Sequence, residues 1–218
     1  VGRLGLSGAD MGTDAQAFTE TLTARGLYSA AQIDQAREVL AQVEAAGFET
    51  IRLAFTDQHG ILRGKTSVAE RFAAAFQSGL GVPSTLLLKD TSHRTVFPVW
   101  EAEVQVADLP LGGAGDVILW PDPARLIPLP WSPHGAMVMC DVRDRDGGRV
   151  PIPSDAVLGR AVAALDAAGY RAVFGLEVEF QVYRRLDAAL DHLQATMPPA
   201  PVRTENLTQG YQYLTETR

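Results

Sequence analysis

The stretch that decides the fold of this chain is IRLAFTDQHGILRGKTSV, residues 51–68. Apolar residues at every second position from Ile51 to Phe55 show the period of a half-buried strand. Residues 57–60 are turn formers, so the chain can return over residues 61–68 as an antiparallel partner. The sequence therefore predicts a β-hairpin here.

An amphipathic helix is predicted just before this hairpin, from Ser29 to Ala46. Ser29 is a suitable N-cap and Gly47 a suitable terminator. One apolar stripe recurs at three- and four-residue steps: Ile33, Ala36, Leu40 and Val43. We expect that stripe to pack on a sheet, and we assign residues 1–27 to a tail that is partly disordered.

Short apolar segments separated by Pro and Gly follow the hairpin. We predict strands at Thr85–Leu88, Glu103–Val106, Val117–Leu119, Arg125–Leu129 and Ala136–Val142. Residues 121–123, Pro-Asp-Pro, are expected to form a turn between two of them, and residues 145–148 a tight turn after the last. The pattern predicts a small α+β domain at residues 28–150, made of a mainly antiparallel sheet with one helix against it.

A second domain is expected to begin at residues 151–218. Ser154 is predicted to cap a helix that Gly169 ends, with one apolar face: Val157, Leu158, Ala161, Leu165 and Ala168. A long strand is expected from Val173 to Tyr183. A helix and a strand are too little for a domain, so we expect it to be truncated in this chain.

The predicted strand contains FGLEVEFQVY, residues 174–183. In a strand, Glu177 and Glu179 project from one side, about 7 Å apart along the chain at 3.3 Å per residue. Two neighbouring carboxylates repel unless solvated or bridged by cations, and hard ions such as Mg2+ or Mn2+ prefer oxygen ligands. The same alternation is also typical of an ordinary strand with one face in water, and the spacing alone does not separate the two.

Composition excludes several classes of function. With 19 basic and 26 acidic residues, the formal net charge is −7, and no basic block is present, which disfavours nucleic acid as a partner. The single cysteine, Cys140, rules out a disulfide within the chain and indicates a reducing, cytoplasmic location. No apolar run approaches the length of a membrane span, so no membrane partner is expected.

Four segments, in this order, resemble the glutamine synthetase family. Residues 57–65 resemble its D-x-x-G-x-x-R-G-K hairpin, and residues 116–131 its D-x-x-L-x-P-D stretch ending in Pro-Trp. Residues 140–153 are similar to its C-D-V…D-G…P passage, and residues 175–180 to its G-x-E-x-E-F strand. Four ordered matches are far more specific than any one of them.

The resemblance implies an ATP-dependent carboxylate–amine ligase. Glutamate would be phosphorylated by ATP on its γ-carboxylate, and ammonia or an amine would displace phosphate to leave a γ-glutamyl amide. It implies an amino-terminal β-grasp domain, a catalytic domain in which Glu177 and Glu179 hold Mg2+ or Mn2+, and a ring-shaped homo-oligomer. The remaining family ligands come later than residue 218, so this stretch alone is expected to be inactive.

Two departures from the family pattern favour its γ-glutamyl-amine or glutamine synthetase-like branch. The family's D-G-S-S segment, whose Asp acts on ammonia, corresponds to Lys89-Asp90-Thr91-Ser92, so Asp90 is the candidate catalytic residue. Ser154-Asp155 replaces the usual Pro-Arg. An alternative of another class is a non-catalytic β-grasp interaction or regulatory module, or a degenerate pseudoenzyme.

Overall fold

The computed structural model describes residues 15–96, 98, 100, 105–106, 109–110, 115–187 and 201–207. Four α-helices lie in these ranges: α1 Ala15–Arg25, α2 Ala30–Ala45, α3 Phe72–Ser78 and α4 Ser154–Ala167. The strands are β1 Thr50–Thr56, β2 Leu62–Val68, β3 Leu80–Pro83, β4 Gln105–Val106, β5 Leu109–Pro110, β6 Asp116–Pro128, β7 Gly135–Arg143, β8 Tyr183–Arg185 and β9 Thr204–Asn206. The helices and strands confirm the α+β class.

The described residues fall into two compact units. The first runs to Leu88 and resumes from residue 98 to Ala161. The second comprises Lys89–Val96 and the described residues from Val162 onward.

A five-stranded sheet in the order β2-β1-β7-β6-β3 organises the first unit. β1 runs parallel to β7, and the other pairs are antiparallel. The predicted hairpin is confirmed: β1 pairs with β2 from Thr50↔Val68 to Thr56↔Leu62. Because β1 and β7 lie inside the sheet, both strands are largely buried.

The core lies between this sheet and helices α1, α2 and α3. Ile51, Leu53 and Phe55 of β1 are fully buried, as their alternation predicted. Facing helices contribute Leu22, Val43 and Phe76, among others. Ala54 is also buried, although the alternation had placed it on the open face.

Helix α2 follows the prediction closely. Ser29 is its N-cap: Ser29 Oγ accepts from Gln32 N at 3.3 Å, and Gln32 Oε1 accepts from Ser29 N at 3.0 Å, a complete capping box. Gly47 follows its end with a φ of 65°, a left-handed conformation that suits glycine. Of the predicted stripe, Ile33, Ala36 and Val43 are buried and Leu40 is partly buried, while Val39 is buried in addition.

Part of the expected tail is ordered. Residues 15–25 form α1, which buries Phe18 and Leu22 in the core. The Phe18 ring meets the Phe76 ring edge-on, with centroids 6.3 Å apart. The pattern was missed because only two residues of α1 are buried, which leaves a weak apolar stripe; residues 1–14 lie outside the described ranges.

One strand prediction and one turn prediction were wrong. Residues 84–88 form a 3-10 helix that buries Leu87 and Leu88, so their apolar run marks burial and not strand period. Residues 121–123 do not separate two strands: β6 continues through them, with a shift of register against β7 between Pro121 and Leu126. Prolines can be accommodated at such an irregularity because no ladder hydrogen bond is needed there. Residues 103–104 of another predicted strand lie outside the described residues.

Helix α4 forms where expected and ends as predicted. Gly169 has a φ of 82°, and Tyr170 N donates to Leu165 O at 2.9 Å, closing the helix end. The prediction placed Ser154 at the N-cap, just outside the helix. In the structure Ser154 is the first residue of α4, so the cap position falls at residue 153. None of its residues is buried, so its apolar face is uncovered within the described structure. Among the described residues, no helix is both long and apolar enough to cross a membrane.

Candidate functional site

The segment with Glu177 and Glu179 departs from the predicted strand. Residues 171–182 form neither helix nor strand, and only β8 at Tyr183–Arg185 is paired, with β9. Both glutamates are exposed. The apolar side chains that alternate with them are exposed as well: Leu176 is 91% and Phe180 81% exposed.

The physical reason is a missing neighbour. A strand satisfies its backbone groups through adjacent strands, and an apolar face is stabilised only when another layer covers it. No strand pairs with residues 171–182 in the described part of the chain. The local pattern can favour an extended segment, but it cannot supply the partner.

A metal site is likewise incomplete within the described residues. No group of three or more His, Cys, Asp or Glu side chains there could hold a metal ion. The chemistry of two carboxylates fits Mg2+ or Mn2+, but each ion takes six or more oxygen ligands, including waters. Two carboxylates alone do not complete such a ligand set.

Asp90 is held in a tight loop. Its Oδ1 accepts from Ser92 N and Arg94 N, both at 2.9 Å, and its Oδ2 lies 3.0 Å from Arg94 Nε. Hydrogen bonding from the Arg94 backbone, aided by the Arg94 side chain, holds the pKa of the Asp90 carboxyl below its ordinary value. The carboxylate is thus charged at neutral pH and engaged by its own loop.

The same loop occurs three times among the described residues, a shared geometry that the sequence analysis missed. Asp57, Asp90 and Asp144 each donate a backbone N–H to the carbonyl four residues on and accept, through Oδ1, from the amides two and four residues on. The residue three positions after each aspartate has positive φ: Gly60 at 78°, His93 at 64° and Gly147 at 90°. The signal was an Asp three positions before a residue suited to left-handed backbone.

The loop at Asp57 begins the first segment that resembles the family, residues 57–65. In residues 57–65, Asp57 Oδ2 additionally binds Arg63 Nε at 2.9 Å, with Asp57 fully buried. A Cβ at Gly64 would overlap the carbonyl oxygen of Leu53, so only glycine fits beside β1. Lys65 Nζ donates to Gly81 O at 2.7 Å. The Asp, Arg and Gly of this segment therefore serve the fold.

The passage beginning Cys140-Asp141-Val142 is also structural. Cys140 and Val142 are buried in the core, and burial raises the pKa of the Cys140 thiol well above its usual range. Asp141 Oδ2 lies 2.7 Å from Arg149 Nη2 and 3.5 Å from Arg143 Nη2. Cys140 is thus a residue of the core.

Comparison with known proteins places these features in context. No family model matches the chain. It is 30% identical over 202 residues to gamma-glutamylanilide synthase of Acinetobacter sp, an alignment that covers 89% of this chain and 40% of that protein. It is 34% identical over 157 residues to gamma-glutamylethanolamide synthetase GlnA4 of Streptomyces coelicolor, covering 67% of this chain and 31% of that protein.

A third relative is glutamine synthetase of Halobacterium salinarum, 29% identical over 163 residues, covering 73% of this chain and 32% of that protein. A solved structure of a GmaS/ADP complex matches 60% of this chain and 26% of its own, at 25% identity and a TM-score of 0.44. The chain thus spans at most 40% of the length of these three curated relatives.

The names of these three relatives define a class of protein, the amide-forming synthetases. More particularly, the matches confirm the resemblance that the four segments indicated, and the chain is a relative of the glutamine synthetase family, in the part of the sequence that the alignments cover.

Proposed function

We propose that this chain is the front part of an ATP-dependent ligase that joins glutamate to ammonia or an amine through an acyl phosphate. The observation that carries the proposal is the 30% identity to gamma-glutamylanilide synthase over 89% of the chain. A second named amide synthetase, gamma-glutamylethanolamide synthetase, aligns with 67% of it. Both departures at Asp90 and Ser154-Asp155 favour an amine over ammonia as the acceptor.

The first unit is proposed to be a β-grasp-like domain at residues 28–150, with the catalytic domain starting at residue 151. A mixed sheet with β1 parallel to an interior β7, and α2 packed against it, supports that assignment. We propose that the whole protein assembles as a ring-shaped homo-oligomer in the cytoplasm. Closed rings form from repeated heterologous contacts.

Glu177 and Glu179 are proposed to supply two carboxylate ligands to Mg2+ or Mn2+ once other parts of the protein cover their segment. The exposed stripe that includes Leu176 and Phe180 supports this, because such a stripe gains stability only under a further layer. When bound, the ions would neutralise charge on the nucleotide phosphates. The chain's own role would be to hold the two carboxylates on one segment. Asp90 remains a candidate for the amine side of the reaction, with its carboxylate already charged.

The test is an assay of the full gene product. We expect formation of a γ-glutamyl amide, detected by mass spectrometry, and ATP-dependent phosphate release with glutamate plus an amine; ammonia, ethanolamine, isopropylamine and aniline form the amine series. Glu177→Gln and Glu179→Gln should weaken Mn2+ binding in a calorimetric titration. Glu38→Gln, an exposed glutamate on α2, is the matched control and should leave it unchanged.

Two outcomes would count against the proposal. Absence of any amide product across the amine series would favour the interaction module or pseudoenzyme. Equal Mn2+ affinity in both variants and in the control would remove the metal assignment while leaving the ligase reaction in place.

A further inference from the structure

The carboxylate of Asp90 is saturated by donors of its own loop. An ionised carboxylate offers about four lone-pair sites, two on each oxygen. Oδ1 accepts from the backbone N–H groups of Ser92 and Arg94, both at 2.9 Å. Nε and Nη2 of Arg94 each lie 3.0 Å from Oδ2. Arg94 therefore supplies three of these four nitrogen atoms, together with the neutralising charge.

The backbone of the loop keeps Arg94 beside Asp90. Asp90 N donates to Arg94 O at 2.8 Å, and Lys89 pairs with Thr95 in an isolated bridge that encloses this bond. The guanidinium is thus tethered to its carboxylate, at an effective concentration on the order of millimolar. Charge-assisted hydrogen bonds of this kind are also stronger than neutral ones. A dissolved cation must displace this tethered group before it can pair with Asp90.

The Asp90 loop belongs to the same compact unit as Glu177 and Glu179, because residues Lys89–Val96 group with the described residues from Val162 onward. Asp90 is the residue that the proposed ligase function assigns to the amine. A primary alkylamine, such as the lysine side chain with its pKa of about 10.4, is protonated at neutral pH and needs a base that takes its proton before it can attack. An arylamine is neutral at this pH, because the ring shares the lone pair of the nitrogen. It can attack without a free carboxylate beside it.

We propose that Arg94 determines the acceptor by occupying Asp90, so that the enzyme favours amines that are neutral at physiological pH, arylamines above all, over ammonium and alkylammonium ions. This rests on the proposed ligase function. In the transfer step the nitrogen lone pair forms the C–N bond of the amide, and the C–O bond to phosphate breaks with its electron pair on the phosphate. An arylamine then gives up one proton, which the departing phosphate accepts. An alkylammonium ion must lose a further proton before it attacks.

The test compares aniline with ethanolamine in the ligase assay of the full gene product, as the ratio of their kcat/KM values. The wild-type protein should favour aniline. Arg94→Gln removes the charge that occupies Asp90, and because the Arg94 side chain is 60% exposed the change leaves the core intact. It should raise kcat/KM for ethanolamine relative to aniline about tenfold, mainly through a lower KM, as expected when the cation gains one charge-assisted hydrogen bond. Arg94→Lys keeps a charge without the planar fork and should give a smaller rise.

Two further variants complete the test. Arg37→Gln is the matched control: it removes the guanidinium of another exposed pair, 3.9 Å from Asp34 on α2, and should leave the ratio at its wild-type value. The double variant Asp90→Asn with Arg94→Gln should lose the gain, because the gain requires a free carboxylate. A gain that persists in the double variant, an unchanged ratio in Arg94→Gln, or a wild-type preference for ethanolamine would each overturn the role of Arg94 and leave the ligase reaction in place. No amide from any amine would overturn the ligase proposal and, with it, the role of Arg94.

Discussion

Asp57 Oδ2 lies 2.9 Å from Arg63 Nε across the turn between β1 and β2, with the Asp57 side chain fully buried and that of Arg63 only 10% exposed. The other carboxylate oxygen accepts from His59 N and Ile61 N. One aspartate thus shapes the turn and neutralises a buried guanidinium. A buried charge is tolerated only when paired and hydrogen-bonded, so this turn depends on both partners.

Removing that carboxylate should be costly. Asp57→Ala removes the buried carboxylate that pairs with the Arg63 guanidinium, and we expect a loss of about 3–5 kcal/mol in the free energy of unfolding. Asp57→Asn keeps an oxygen for the turn amides and should lose less. Urea denaturation at 25 °C gives both values. Asp144→Ala is the control, since Asp144 makes the same two turn bonds and has no ion pair in the described structure; it should cost about 1 kcal/mol. Equal losses at the two positions would show that the buried pair adds nothing.

Gly64 should tolerate no side chain. A methyl group there would overlap Leu53 O, and the φ of 157° is disfavoured for other residues, so Gly64→Ala should lower stability by about 2–4 kcal/mol. Gly159→Ala is the counterpart on α4, where the added Cβ would meet no described atom within 4 Å beyond its chain neighbours and the backbone of its own helix. There the helix should gain about 0.5–1 kcal/mol. Thermal and urea unfolding of both variants test the pair, and a neutral Gly64→Ala would contradict the close approach of β2 to β1.

The loop of Asp90 should respond to acid. Because hydrogen bonds in the folded state lower the pKa of Asp90, the contribution of its carboxylate is fully present above the unfolded pKa of about 3.9 and is lost as the pH falls through the lower, folded value. A side-chain NMR titration should therefore place Asp90 below 3.9, with the Ser92 and Arg94 amides shifting together. Arg94→Gln keeps the backbone donor, the largest cause, and should raise the pKa only in part. An Asp90 that titrates at its ordinary value would contradict the loop geometry.

Sequence reasoning located the elements whose signals are local. The β1–β2 hairpin, α2 with its Ser29 cap, β7 and the Gly169 end of α4 follow from alternation, capping chemistry and glycine conformation, all of which act within a few residues. It failed where burial is decided by distant residues. The 84–88 run is buried but helical. Residues 121–123 continue a strand instead of turning, because β6 pairs with β7 on both sides of them, at residues 118–121 and 126–128.

The sequence by itself determined the class of the fold and the four segments that relate this chain to its family, and it indicated Glu177 and Glu179 as candidate metal ligands. Only the tertiary structure decided that Asp57 is a buried partner of Arg63 and that Thr56 accepts a hydrogen bond from Ser154 at the start of α4. It also decided that the segment with Glu177 and Glu179 has no neighbouring strand in the described residues. The reason is physical. Periodicity and turn chemistry are properties of adjacent residues, whereas burial, ion pairing and strand pairing require groups far apart in the chain to meet, and their free energy appears only when they do.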